Sequence, residues 1–209
     1  MSGASEAKTP YRLATLACMD YLWTPWRYAY VTSANRGSQP GVAPELAEYY
    51  KTDGRCVFCN LLASTDAAMN AGLAQDEAER ASLLVARGQH NFLCLNRFPY
   101  TAGHLMVVPF AHQDSLAALD PAAAEEMMRM AQRVEKMLAR VYRPEGFNFG
   151  LNLGKAAGAG VAEHLHLHAM PRWVGDTNFM TAIGETRILP EGLSVTWQRL
   201  REAWNATEE

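Results

Sequence analysis

The chain has 209 residues, 49% apolar and 20% charged, with a net charge of -3. Those values suit one globular domain with extensions, large enough to bury a substantial core, and they argue against a basic nucleic-acid-binding surface. No apolar run reaches the roughly 18 residues of a membrane span, and Met1 to Lys8 lacks a charged-then-apolar leader pattern, so a cytoplasmic protein is expected.

Residues 1 to about 20 read as loosely ordered, but the cluster Trp23, Trp26, Tyr28 and Tyr30 is too aromatic for a free tail. Packing on the core is preferred there over stacking on a base. Asn35 to Pro44, rich in Gly, Ser and Pro, reads as a loop. Leu61 to Arg80 is Ala-rich and stays open between short helix and loop. Ser82 to Arg87 reads as a strand, Gly88-Gln89 as a turn and His90 to Asn96 as the hairpin partner. His104 to Phe110 is a further strand. Asp120-Pro121 marks a helix start, with a capping carboxylate and proline at the first helical position. That helix should run to about Tyr142 and bury Met127, Met130, Ala131, Val134, Leu138 and Val141. Pro144-Glu145-Gly146 breaks it. Phe147 to Leu153 and Glu163 to Met170 are two more strands, the second ended by Pro171-Arg172. Leu193, Trp197, Leu200 and Trp204 line one face of a terminal helix. Five strands with short connections and one long helix predict an α+β fold with an antiparallel sheet.

Three of the six histidines alternate in Glu163-His164-Leu165-His166-Leu167-His168. On a strand such residues share one face, leaving Leu165 and Leu167 to enter a core behind them. Three imidazoles in a row admit metal binding, nucleophilic catalysis or a plain polar edge. The last is disfavoured because such faces usually mix Thr, Lys, Glu and Ser. Cys56-Val-Phe-Cys59 is either a redox pair or half of a metal site. In a cytoplasmic chain the four cysteines argue for metal or free thiols rather than disulfides. Cys18 and Cys94 are left over, and mid-strand Cys94 reads as a small buried apolar residue. The loop Gly154-Lys155-Ala-Ala-Gly158-Ala-Gly160 stands directly before the histidines. It can present backbone N–H groups and a lysine to phosphate, although it is not a Walker loop.

The run from His164 to Trp173 resembles the signature of the histidine triad family of nucleotide hydrolases and transferases. Asn96-Arg-Phe-Pro-Tyr-Thr-Ala-Gly-His104-Leu-Met-Val-Val-Pro109 resembles that family's second motif, and Gly146 to Gly154 the strand before the triad. The flanks Leu22 to Tyr30 and Val174 to Met180 resemble the branch of diadenosine tetraphosphate phosphorylases. The resemblance implies a five-stranded antiparallel sheet with a long packed helix, commonly dimeric. The chain would divide into an N-terminal extension at 1–55, a nucleotide-binding core at 56–175 and a C-terminal extension at 176–209.

The resemblance also assigns roles. His166 would be the nucleophile toward an α-phosphate, and His168 would bind phosphate or protonate the leaving group. Asn96 would contact ribose, Asn152 phosphate, and His104 would lie at the site periphery. Beside these, the loop's own residues put Lys155, Gly158 and Gly160 toward phosphate. His112 and His164 would join Cys56 and Cys59 around a structural zinc, with no organic cofactor. Val161 stands where small family hydrolases carry Ser or Thr, in a loop one residue longer. His90 matches no family position and reads as a strand-surface residue. The implied reactants are an adenine dinucleoside polyphosphate and inorganic phosphate, or water as acceptor in a hydrolase of phosphoramidates or polyphosphates. No nucleic acid or membrane partner is implied.

Overall fold

A computed structural model describes residues 40–51, 54, 56–177 and 190–207. The Trp23–Tyr30 cluster, Cys18 and the flank from Asn178 onward to Met180 lie outside the described residues.

The stretch left open between helix and loop forms two helices, α1 (Val57–Asn70) and α2 (Gln75–Ser82). Periodicity under-reads α1 because its buried side includes Asn60, Ser64 and Thr65 beside Phe58, Leu61 and Ala68. The two hydroxyls donate to the Leu61 carbonyl, at 3.1 and 2.7 Å, and the Asn60 amide donates to the Pro40 carbonyl at 2.7 Å. Thr65 and Ser82 also bond each other at 2.6 Å, tying α1 to α2. Gly41, at φ +85°, passes so close to Val57 that a Cβ would collide with its backbone.

Five strands follow: β1 (Leu84–Arg87), β2 (Asn91–Leu95), β3 (Leu105–Pro109), β4 (Gly146–Leu151) and β5 (Leu167–Arg172). They form one sheet in the order β1-β2-β3-β5-β4, every pair antiparallel. Alternation sorts the side chains. Leu93, Leu95, Leu105, Val107, Leu167 and Ala169 belong to the main core. Phe92, Cys94, Met106 and Val108 form a second cluster with Phe58 and Leu61 of α1. Burial pushes the Cys94 thiol up to about 12, in keeping with its apolar reading.

Between β3 and β4 runs α3 (Pro121–Tyr142), its first turn capped by Asp120, whose carboxylate accepts from the Ala122 N–H at 2.8 Å. Its predicted stripe is buried except for Val141, which is only partly covered at the last turn. The final helix, α4 (Leu193–Asn205), places Trp197, Leu200 and Trp204 in the same core. The Trp197 indole N–H donates to the Leu84 carbonyl at 2.7 Å. No described helix is long and apolar enough to cross a membrane.

One boundary needs correction. Pro171 and Arg172 continue β5 rather than end it, opposite Phe147 and Gly146. β3 pairs with β5 only from Leu167 to Ala169. At Pro171 the strand therefore has a neighbour on one side alone, and a missing N–H is tolerated at such an edge. The ladder also begins only at Leu167, so His164, at a bend, and His166 lie in the segment leading into the strand. Leu165 is nevertheless in the main core with Leu167, and the alternation predicted for the histidines holds.

Candidate active site and metal centre

The lead-in to β5 is anchored before any ligand is considered. The Leu165 N–H donates to the Gln113 carbonyl at 2.6 Å, joining it to the loop after β3. His164 is 1% exposed, and its Nε2 lies 2.9 Å from the Pro109 carbonyl. A carbonyl only accepts, so Nε2 carries the proton and Nδ1 presents a lone pair. That Nδ1 sits 3.2 Å from Cys56 Sγ and 3.7 Å from Cys59 Sγ. The His112 Nδ1 lies 3.5 Å from Cys59 Sγ.

Four ligand atoms, one each from Cys56, Cys59, His112 and His164, thus converge within 4.8 Å of one another. A tetrahedral cation with bonds of about 2.0–2.3 Å separates its ligands by about 3.3–3.8 Å. The thiol–imidazole distances lie in or next to that range, so the residues fit a metal ion. Electrostatics agree. Burial pushes the Cys56 thiol up to about 12, so a thiolate there needs a cation beside it. Burial, the largest cause, also depresses the basicity of His164, favouring the neutral ligand form. The Pro109 carbonyl bond orients the ring from behind, as outer partners of metal-bound histidines usually do.

His166 is 5% exposed and faces a different partner. Its Nδ1 lies 2.8 Å from the His164 carbonyl and must carry the proton. Nε2 is left with its lone pair, and burial holds the ring below its ordinary basicity. A neutral imidazole with a fixed tautomer and one lone pair on Nε2 has the form that nucleophilic attack requires.

His168 is tied to His104, 64 residues away, with Nδ1 2.9 Å from the His104 Nε2. The Tyr100 N–H donates to the His104 Nδ1 at 3.1 Å. The His104 proton therefore sits on Nε2 and points at His168 Nδ1, which leaves the His168 proton on Nε2. One imidazole thus presents a lone pair and its neighbour, 4.8 Å away between ring centres, presents a donor. The Tyr100 ring packs 4.8 Å from His104 and 6.2 Å from His168. Sequence reasoning placed His104 at the periphery and passed over Tyr100 and Phe58. Position beside a motif was the available signal: Tyr100 stands four residues before His104, and Phe58 lies between the two cysteines.

The binding residues are distributed less tightly. Asn96 follows β2, where its Oδ1 accepts from the Phe98 N–H at 2.9 Å and its Nδ2 lies 3.4 Å from the His104 Nδ1. It shapes the turn that leads to His104. Asn152 stands one residue beyond the Leu151–Leu167 pair, where the β4–β5 ladder ends. Lys155 is exposed in a single helical turn, Lys155–Ala157, flanked by Gly154 at φ +79° and Gly158 at φ +85°. Only glycine adopts such angles without strain. Gly160 is exposed farther along the same connection. The structure thus joins the metal-ligand set and the His104–His168 pair, and leaves Lys155 and Gly160 on an open loop. His90 lies in the turn before β2, its N–H donating to Glu126 at 2.7 Å.

Comparison with known proteins places this arrangement. The HIT domain family profile matches residues 77–174. The chain is 37% identical over 183 residues to the AP-4-A phosphorylase of Mycobacterium tuberculosis, covering 88% of this chain and 83% of that protein. A crystal structure of a zinc-bound histidine triad family protein from Mycobacterium smegmatis is 26% identical. It superposes with a TM-score of 0.54 over 72% of this chain and 94% of its own. A hypothetical histidine triad nucleotide-binding protein from Sulfolobus tokodaii shares the fold at a TM-score of 0.52, with 22% identity over 72% and 93% of the two chains. From the motif, the fold and the relative matched along most of its length, the chain belongs to the histidine triad (HIT domain) family.

Proposed function

We propose that the protein is a phosphorylase of dinucleoside polyphosphates such as diadenosine tetraphosphate, acting through a nucleotidyl intermediate on His166. The observation that carries this reading is the His166 tautomer: Nδ1–H held by the His164 carbonyl, Nε2 free. The similarity to a mycobacterial AP-4-A phosphorylase along 88% of the chain supports the choice of substrate.

In this reading Nε2 attacks the α-phosphorus of the substrate. An N–P bond forms, the bond from that phosphorus to the bridging oxygen breaks, and ATP leaves. The His168 Nε2–H donates to the phosphate or the leaving oxygen, and His104 holds His168 for that task. Inorganic phosphate then attacks the same phosphorus, the N–P bond breaks, and ADP departs with His166 restored. Asn96 would bind ribose. Asn152, Lys155 and the glycines at 158 and 160 would bind phosphate. The core at 56–175 would carry the chemistry in the cytoplasm, within a homodimer or higher oligomer, and the flanks at 1–55 and 176–209 would shape substrate choice.

Cys56, Cys59, His112 and His164 would hold one zinc ion per chain. With all four positions taken by protein, the ion supplies cross-linking between α1, the loop after β3 and the triad lead-in, and has no site left for substrate.

Product analysis tests the acceptor. Diadenosine tetraphosphate is incubated with the protein with and without inorganic phosphate. Equal ADP and ATP, formed only with phosphate, is the expected outcome. AMP plus ATP, or two ADP, formed without phosphate would assign the protein to the hydrolases.

A further inference from the structure

Phe58 stands between the two cysteines in sequence, yet its side chain faces the histidines. It is 3% exposed in the first turn of α1. Its ring centre lies 5.4 Å from that of His164, edge-on at 68°, and 5.1 Å from that of His166, tilted at 48°. A metal half-site asks nothing of the residues between its cysteines except that the turn form. A buried phenyl packed on the imidazole two residues beyond the nearest metal ligand is an additional feature.

The need for it follows from the His166 contacts. The Nδ1 hydrogen bond fixes one atom of the ring. An imidazole held at one atom can still swing, and the direction of the Nε2 lone pair swings with it. The His168 ring restricts His166 at 4.8 Å and 76°, and Phe58 supplies the second ring contact. Rings at such separations attract and interlock, and reacting atoms must be held to fractions of an ångström. The position of Phe58 is set by the same helical turn as Cys56 and Cys59, whose own link is the Cys59 N–H to Cys56 Sγ contact at 3.5 Å.

We propose that Phe58 is a positioning residue for His166, transmitting the placement of the metal-binding turn to the nucleophile. The inference rests on the reading of His166 as nucleophile.

The test uses the full-length protein with Phe58→Leu, Phe58→Met as a second variant, and Phe92→Leu as control. Phe92 is fully buried in the same cluster and touches Phe58 and Phe110 at 6.4 and 5.6 Å between ring centres. Its loss reports the cost of removing a buried ring from that cluster. All variants should keep the wild-type metal content and lose similar melting temperature. In the Phe58 variants alone, kcat for diadenosine tetraphosphate should fall about tenfold with KM changed less than about twofold, the scale of one ring contact. Proton and nitrogen NMR should show the His166 Nδ1–H signal sharp in the wild type and in Phe92→Leu, and exchange-broadened in the Phe58 variants. An equal kcat loss in Phe92→Leu, an unchanged His166 signal, or metal loss in the Phe58 variants would overturn the proposal. The NMR reports on the ring whether or not His166 proves to be the nucleophile, so the two readings fail separately.

Discussion

Two neighbouring imidazoles on one face present opposite faces of their chemistry because their Nδ1 partners differ. His166 donates through Nδ1 to a carbonyl, whereas His168 accepts at Nδ1 from His104. Nε2 therefore carries a lone pair on one ring and a proton on the other, with ring centres 4.8 Å apart and no change in residue type. The expected consequence is sharp. His166→Ala should reduce turnover by at least about 10³-fold, as removal of a nucleophile does, while circular dichroism and nucleotide binding stay close to wild type. Added imidazole should restore part of the activity of His166→Gly. Substantial turnover by purified His166→Ala would eliminate the covalent route.

Strand β5 and the segment leading into it deliver these residues, and the far end of the strand is fastened by charge. The Arg172 guanidinium grips the Asp176 carboxylate through Nε and a terminal nitrogen, both at 2.6 Å, and donates to Asn148 of β4 at 2.6 Å. Those bonds, with Arg172 as the largest cause, hold the Asp176 carboxyl down at about 2. A carboxylate depressed in the folded state stabilises above its unfolded value of about 4. The contribution is then lost as pH falls through about 2. Urea melts at pH about 6 and about 2.5 should therefore show a larger acid loss for wild type than for Asp176→Asn, which has no such proton to bind. Equal losses in the two proteins would show that the pair adds nothing. Other element ends were set by short-range chemistry of the same kind. Asp120 caps α3 before Pro121, and Arg143 ends it in the left-handed region at φ 47°.

On the scale of the molecule, the four candidate metal ligands come from distant parts of the chain, so an ion bound there would act as a clasp. His164 meets Cys56 across 108 residues, and His112 meets Cys59 across 53. A cation binding only the folded form stabilises it by mass action. Protein purified without added metal should carry one zinc per chain by elemental analysis. Cys56→Ser, or dialysis against a chelator, should lower the melting temperature by about 10 °C, equivalent to about 3 kcal/mol in a chain this long. Sub-stoichiometric metal together with an unchanged melt in Cys56→Ser would refute the clasp and return His164 to the phosphate site.

What could be read from the residues alone was what depends on neighbours a few positions away. Alternation placed His164, His166 and His168 opposite Leu165 and Leu167. The Asp120-Pro121 start and the stripe from Met127 to Leu138 announced α3, because capping and helical spacing are local. The stretch before β1 stayed open between helix and loop, since Asn60 and Thr65 are buried by contacts that only the folded chain supplies. Pro171 misled for a related reason: whether a strand position has one neighbour or two is a property of the sheet. The metal set was legible as a family resemblance, but its convergence within 4.8 Å was decided by the tertiary structure. So were the tautomers. Identical imidazoles acquire unequal roles through the carbonyl, amide and second imidazole that the fold sets against each Nδ1, and a linear order of residues does not contain those distances.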